Sequence, residues 1–256
     1  MINFFRKIRQ QLLNQNKVSK YLLYAIGEVV LVVVGILIAL QINNWNEGRK
    51  SDKVELKILQ ELHAVLKGGA FPGELEFQKG QIEANEKSKA SCELILRYFQ
   101  DNLPYQDSLK SHFANAHTRY IGQIKSHAYE NAKNYGLGFI GNDSLKELLT
   151  WAYETNSAVL EKLYERNNLY EYGTVVPVIT ELFESINMNM PDNTKEMIPL
   201  NYQSLKGNTI YANILQSTIH KRNEIIFFQD LRYQRMLKIA TFLEEEIELK
   251  KGKANQ

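Results

Sequence analysis

Residue types that could do chemistry are sparse in this chain, and the first to weigh is Glu28. It is the one ionisable group in the run Tyr21–Leu40, YLLYAIGEVVLVVVGILIAL. It lies about 10 Å beyond Tyr21 along a helix, inside what would be hydrocarbon, where an ionisable residue counts by default as functional. Gly35 and Ala39, seven and eleven residues on, fall on the same helical face. That stripe is a small-residue packing surface with a carboxyl group above it. Two readings stay open: an interface holding a neutral or hydrogen-bonded Glu28, or a carboxyl reaching toward the near interface beside Tyr24.

The remaining candidates point away from catalysis. His112 and His117 are five apart and do not stack as residues four apart would, while His63, His127 and His220 are isolated. No cysteine or carboxylate completes a metal-ligand set. The single cysteine, Cys92, excludes an internal disulfide and reads as an inert core thiol. Gly136, Gly138 and Gly141 in GLGFIGND superficially suggest a phosphate loop. Without a preceding strand or a Lys-Ser/Thr ending, a turn between helices is the better reading. There is no GxSxG, Walker-type loop or GxGxxG. The run Glu244-Glu245-Glu246 reads as a solvated face. His220, Lys221, Arg222, Arg232 and Arg235 bracket the apolar Ile225-Ile226-Phe227-Phe228. Arg222, Arg232 and Arg235 could contact an anionic small molecule, but side chains covering the apolar surface are the preferred reading. No cofactor is expected.

The elements that must position these residues begin with the apolar run, which spans about 30 Å as a helix, the thickness of a bilayer core. Arg6, Lys7, Arg9, Lys17 and Lys20 precede it with no acid ahead of Glu28, and Arg49, Lys50, Lys53 and Lys57 follow it. Counting Lys and Arg alone, the leader stays in the cytoplasm by a small margin. The run exits into QINNWN without a small-x-small site, so an uncleaved anchor is expected rather than a signal peptide. Tyr21, Tyr24 and Trp45 fit the two aromatic belts. Phe5, Ile8 and Leu12 share one face of the leader, which reads as either an interfacial amphipathic helix or a frayed tail.

Beyond the anchor the periodicity is helical. Val54, Ile58, Leu62 and Val65 or Leu66 recur as far as KGGAFPG, where Gly68, Gly69, Pro72 and Gly73 must break the helix. A second helix is predicted from Glu74 to Phe99, with Phe77, Ile82, Cys92, Leu94, Ile95 and Leu96 on its apolar face. Asp107–Ile124 reads as a short helix, and HAYENAKNY as another, ended by Gly136 as a left-handed cap. A long helix opens at Asn142-Asp143-Ser144, with Ser144 and Glu147 as a capping box. Its stripe of Leu145, Leu149, Ala152, Val159 and Leu163 continues toward Phe183, with a kink at Pro177. From Asn187 to Asn208 the periodicity disappears, and a functional or disordered loop is expected. The last helix should run from Thr209 past Ile247, with Ile214, Ile225, Met236, Ile239, Leu243 and Ile247 inward. The predicted class is all-α: residues 1–20 a basic leader, 21–42 a transmembrane anchor and 43–256 an antiparallel helical bundle. Of 31 basic residues in the chain five precede Glu28, leaving 26 against 29 acids, a balance that argues against a nucleic-acid partner.

Two blocks resemble a known family. FFRKIRQQLLNQNKVSKYLLYAIGEVVLVVVGILIALQINNWNE resembles the opening of a family of uncharacterised single-pass inner-membrane proteins found in Bacteroidetes. SHAYENAKNYGLGFIGNDSLKELL is similar to that family's second signature, departing from it at His127 between Ser126 and Ala128. The resemblance implies a helical soluble part and no established activity. Tyr129, Glu130, Gly136 and Asn142 carry over as signature positions without roles.

The resulting expectation is a protein of the inner membrane with its N-terminus in the cytoplasm and its bundle in the periplasm. It would act as a non-catalytic interaction or scaffold module, its anchor meeting a second copy or another membrane protein through Glu28, Gly35 and Ala39. The alternative is a ligand-binding domain of sensory type, which would need a membrane partner because the leader has no room for an output domain. An unrecognised enzyme ranks third.

Overall fold

The structure, a computed structural model, describes residues 18–69, 72–118, 126–187 and 195–254. The expected amphipathic leader with Phe5, Ile8 and Leu12 lies outside the described residues, as does the stretch 188–194 within the expected loop. The chain divides into two compact units, Met1–Glu55 and Leu56–Gln256.

Helix α1, Val18–Lys67, runs through 50 residues without interruption, so the expected anchor and the first helix after it are one element. Leu and the β-branched Val and Ile dominate its first half, and they find no core. Every large apolar side chain between Val29 and Ile42 is at least 46% exposed. Leaving that much apolar surface in water would forgo about 1.5–3 kcal/mol for each such side chain. This helix is long and apolar enough to cross a membrane. Past Trp45 the composition turns polar, and the Arg49 guanidinium sits 5.0 Å over the Trp45 ring.

In the second unit, Ile58, Leu59, Leu62 and Leu66 are buried at helical spacing while Val65 stays exposed, which settles the choice between Val65 and Leu66. Glycines end α1 by necessity. Gly68 has φ +85°, and a Cβ on Gly73 would lie 2.4 Å from the Gly68 nitrogen. Helix α2, Glu74–Gln100, follows at once, with Glu74 and Glu76 in its first turn, where acids suit the helix dipole. Short helices α3, Leu109–Ala116, and α4, His127–Tyr135, come next. Ser126 caps α4 by accepting the Tyr129 N–H at 3.2 Å. Gly136 does end α4 at positive φ, but at φ +98°, ψ +116°, outside the left-handed helical cap that the sequence suggested.

Three helical stretches, α5 Asp143–Thr150, α6 Asn156–Tyr170 and α7 Val176–Leu182, join through π-turns at Trp151–Thr155 and Glu171–Val175. The N-cap is Asn142, whose Oδ1 accepts the Leu145 N–H at 3.0 Å, so Ser144 and Glu147 form no capping box. An amide side chain two residues earlier takes an orphan N–H of the first turn and sets the helix start there. Pro177 falls in the first turn after the second π-turn, where the Val176 N–H reaches back five residues to the Glu171 carbonyl. The wide turn absorbs the disruption expected of a mid-helix proline.

The segment expected to be structureless is partly ordered. Strand β1, Phe183–Asn187, pairs antiparallel with β2, Glu196–Pro199, Ile186 facing Met197, with an irregularity between Phe183 and Ser185. A four-residue strand is too short for alternation to stand out in sequence, although Met197 and Pro199 are buried and Glu196 is not. Helix α8, Tyr202–Lys206, is capped by Asn201, whose Oδ1 accepts from the Ser204 N–H at 3.0 Å. Helix α9, Thr209–Ala254, closes the fold over 46 residues. The unit is a helical bundle: α9 packs most extensively on α2 and also along α5 and α6. One apolar core gathers Cys92, Ile95, Phe113, Val175, Ile179, Phe183, Met197, Tyr211 and Leu215. A smaller one joins Leu160, Leu163, Tyr164 and Ile225. Phe77, expected inward, is 43% exposed, because the buried stripe of α2 passes through Gln78 instead.

Candidate functional site

The buried stripe of α9 reads Tyr211, Leu215, Thr218, Arg222, Ile225, Gln229, Arg232, Met236, Ile239 and Leu243, each with relative exposure of 3% or less. Steps of four and three alternate throughout, as in a coiled-coil seam. Its middle is polar. The facing stripe of α2 reads Gln78, Gln81, Asn85, Ser88, Cys92 and Ile95 at the same alternation, and its N-terminal half is polar too.

These two polar segments meet. Asn85 Nδ2 donates to Gln229 Oε1 at 3.2 Å, and Gln78 Nε2 to the Gln229 carbonyl at 3.3 Å. Gln229 Nε2 donates to the Tyr164 hydroxyl on α6 at 2.8 Å. Arg222 Nε donates to Ser88 Oγ at 3.2 Å and its Nη2 to the Thr118 carbonyl at 2.9 Å. On the other flank Asn156 Nδ2 donates to the Phe228 carbonyl at 3.3 Å.

Arg232 stands at the far end of this layer, 2% exposed. Its Nη1 donates to Ser157 Oγ at 3.0 Å, and its guanidinium carbon lies 5.5 Å from the centroid of the Tyr153 ring. Among the described residues its Nε and Nη2 have no hydrogen-bond partner. Burial pulls the Arg232 pKa below its usual range, against the pull of Tyr153 and Glu74. The Tyr153 hydroxyl donates to Glu74. Tyr153 also stacks on Tyr129, centroids 4.8 Å apart and planes at 17°. Tyr129 in turn donates to Glu154 Oε1 at 2.9 Å, which also takes Lys133 Nζ at 2.8 Å. The first π-turn, Trp151–Thr155, thus supplies Tyr153 and Glu154 to one polar cluster with Ser157 next to it; π-turns recur at functional sites.

The signature positions acquire structural settings. Tyr129 is buried in this cluster and Glu130 is exposed. Asn142 caps α5 and donates Nδ2 to Glu246 Oε1 on α9 at 2.7 Å. The acidic run is therefore not simply solvated: Glu244 Oε1 also meets Lys67 at 3.0 Å and His63 Nε2 at 3.2 Å.

The preferred surface reading of the arginines is corrected for two of the three. Arg222 and Arg232 face the interior, because they sit in the core stripe rather than beside it. Arg235 covers Trp151, 3.5 Å from its centroid. The three do not converge on one anion. Cys92 is fully buried in the larger core, and burial, opposed by Arg222, pushes its thiol up to about 12. His112 meets Ser91 Oγ at 3.1 Å and His117 the Tyr211 hydroxyl at 3.1 Å. Among the described residues no three His, Cys, Asp or Glu gather as a metal site would require. In α1, Glu28, Gly35 and Ala39 share one helical face; a Cβ on Gly35 would meet nothing within 4 Å.

The class these features define is a helical bundle carrying one long apolar helix near the N-terminus. Residues 28–102, from the apolar helix through the glycine turn to the end of α2, match a family of unknown function, DUF6090. The match includes KGGAFPG and not the second signature block. No curated protein and no solved structure matches the chain.

Proposed function

We propose that this is a single-pass inner-membrane protein with its N-terminus in the cytoplasm and its helical bundle in the periplasm. It acts as a non-catalytic interaction or scaffold module. The supporting observation is the row of exposed apolar side chains along α1 from Val29 to Ile42, which a bilayer would cover. The excess of Lys and Arg ahead of that row supports the orientation. Glu28, Gly35 and Ala39 supply a face for a second copy or another membrane helix.

Paired fusions test the topology: alkaline phosphatase at the C-terminus should be active and a fluorescent protein there dark. The reverse pattern would overturn the orientation. In-cell crosslinking of the full chain should then recover a defined membrane partner or a second copy, and recovery of monomer alone would overturn the scaffold reading. A second reading, ligand binding inside the bundle, is favoured by the unpartnered edge of Arg232.

A further inference from the structure

We infer that Arg232 is the recognition group of an interior site for a small carboxylate, bound bidentately on the Nε/Nη2 edge of its guanidinium. The argument is geometric first. Ser157 already engages Nη1, which fixes the plane of the group and leaves Nε and Nη2 without an acceptor. Those two nitrogens present parallel N–H groups along one edge, the fork that accepts both oxygens of a carboxylate. Tyr153 orients the fork by lying against the cation, and is itself held by Glu74 and by the stacked ring of Tyr129.

It is energetic second. A guanidinium 2% exposed with three N–H groups, on Nε and Nη2, unmet among the described residues carries a desolvation penalty that Ser157, Tyr153 and Glu74 offset only in part. Arg222, seven residues earlier on the same stripe, shows the contrast, since its Nε and Nη2 both donate within the fold. Glu74 acts on the Arg232 cation through space, while its carboxylate accepts from the Tyr153 hydroxyl. Among the described residues it gives Nε and Nη2 no hydrogen bond, so an incoming carboxylate would meet the open N–H groups directly. At 2% exposure the fork faces the bundle interior, so formate and acetate, the smallest carboxylates, are the probes that suit it. This gives the ligand-binding reading its ligand class, and its failure would leave the anchored-module reading untouched.

The test uses the full chain in detergent, titrated with sodium acetate and, separately, sodium formate, with ionic strength held constant by sodium chloride. Chloride, a single acceptor, matches the two parallel N–H groups less well than two carboxylate oxygens, so the carboxylate response should persist in its presence. Thermal unfolding should rise saturably with either carboxylate, and the carboxyl resonance of carbon-labelled acetate should broaden on adding protein. Arg232→Met should melt cooperatively and lose both responses. Arg232→Lys keeps the charge without the fork, and its acetate affinity should fall by at least about tenfold, equivalent to 1.4 kcal/mol. No saturable response in the unmodified protein would overturn the inference and assign the free N–H groups to buried water. An undiminished response in either variant would overturn it equally.

Discussion

Gln229 is the point where three helices share one polar side chain, and its replacement by Met tests how much the layer contributes. Met has nearly the same length and volume, so packing changes little and the effect isolates hydrogen bonding. The substitution removes the acceptor for Asn85 Nδ2 and the donor to the Tyr164 hydroxyl, while the Gln78 bond to the Gln229 backbone carbonyl persists. Asn85 Nδ2 retains the Gln81 carbonyl at 2.9 Å, so its loss falls at the low end. The Tyr164 hydroxyl keeps no other bond among the described residues. Stranding a buried polar group costs about 1–3 kcal/mol, so the pair should cost roughly 2–4 kcal/mol. For a unit of some two hundred residues each kcal/mol shifts the midpoint by about 2–4 °C, giving a drop of roughly 4–16 °C. The assay is thermal unfolding of the full chain in detergent by circular dichroism. Adding Asn85→Leu and Tyr164→Phe to Gln229→Met should restore most of the loss, since replacing all partners leaves nothing stranded. Gln229→Met as stable as the parent, or a triple variant no better than the sum of its parts, would refute the reasoning.

Gly35→Ile should weaken self-association of the apolar helix at least as much as Glu28→Gln, because packing carries most of such contacts and an interhelical hydrogen bond averages only about 0.6 kcal/mol; a membrane two-hybrid assay reads both. Cys92, buried with its thiol pushed up to about 12, should resist maleimide in the folded protein at pH 8 and react fully in denaturant. Lys133 and Tyr129 hold the Glu154 carboxyl below its ordinary value of 4.5. Its contribution is therefore complete above that value and lost as pH falls through the lower folded pKa. Tyr129→Phe should raise the Glu154 titration midpoint in a carbon-detected NMR titration, and an unchanged midpoint would show that the phenol does not matter.

Much of the fold was legible because long helices repeat one signal many times. The inward positions Ile214, Ile225, Met236, Ile239, Leu243 and Ile247 are all buried as expected. The candidate site was not legible for a chemical reason: polarity places Arg222 and Arg232 outside, as side chains covering the apolar run, and gives Gln229 no distinguishing signal. Their spacing, three and four from Ile225 and Met236, was the signal that placed them inside. The π-turns escaped because each widens one turn without breaking the apolar pattern, so Ala152 and Val175 remain buried through them. The hairpin escaped because β2 is only four residues long. Glu28, Gly35 and Ala39 are legible as a face, but which partner covers that face is a property of another molecule.

The polar layer also bears on how α9 finds its place. A strict alternation of threes and fours lets one helix slide along another by seven residues and still present a stripe. Sliding α9 one way would set Met236 at the place of Gln229, removing the side-chain acceptor of Asn85 Nδ2 and leaving the Tyr164 hydroxyl without its donor. Sliding it the other way would set Leu215 against Ser88 and leave the Thr118 carbonyl without its donor from Arg222. Either displacement strands groups that the observed pairing satisfies, at about 1–3 kcal/mol each, whereas an all-apolar seam would discriminate only by shape. Gln229 and Arg222 are seven apart and chemically different, so the two positions that a slip would interchange are the two that cannot substitute for each other. The pairing of α2 with α9 is thus specified by the same side chains that make the interior polar, and Arg232, one step further along the stripe, keeps an open edge among the described residues.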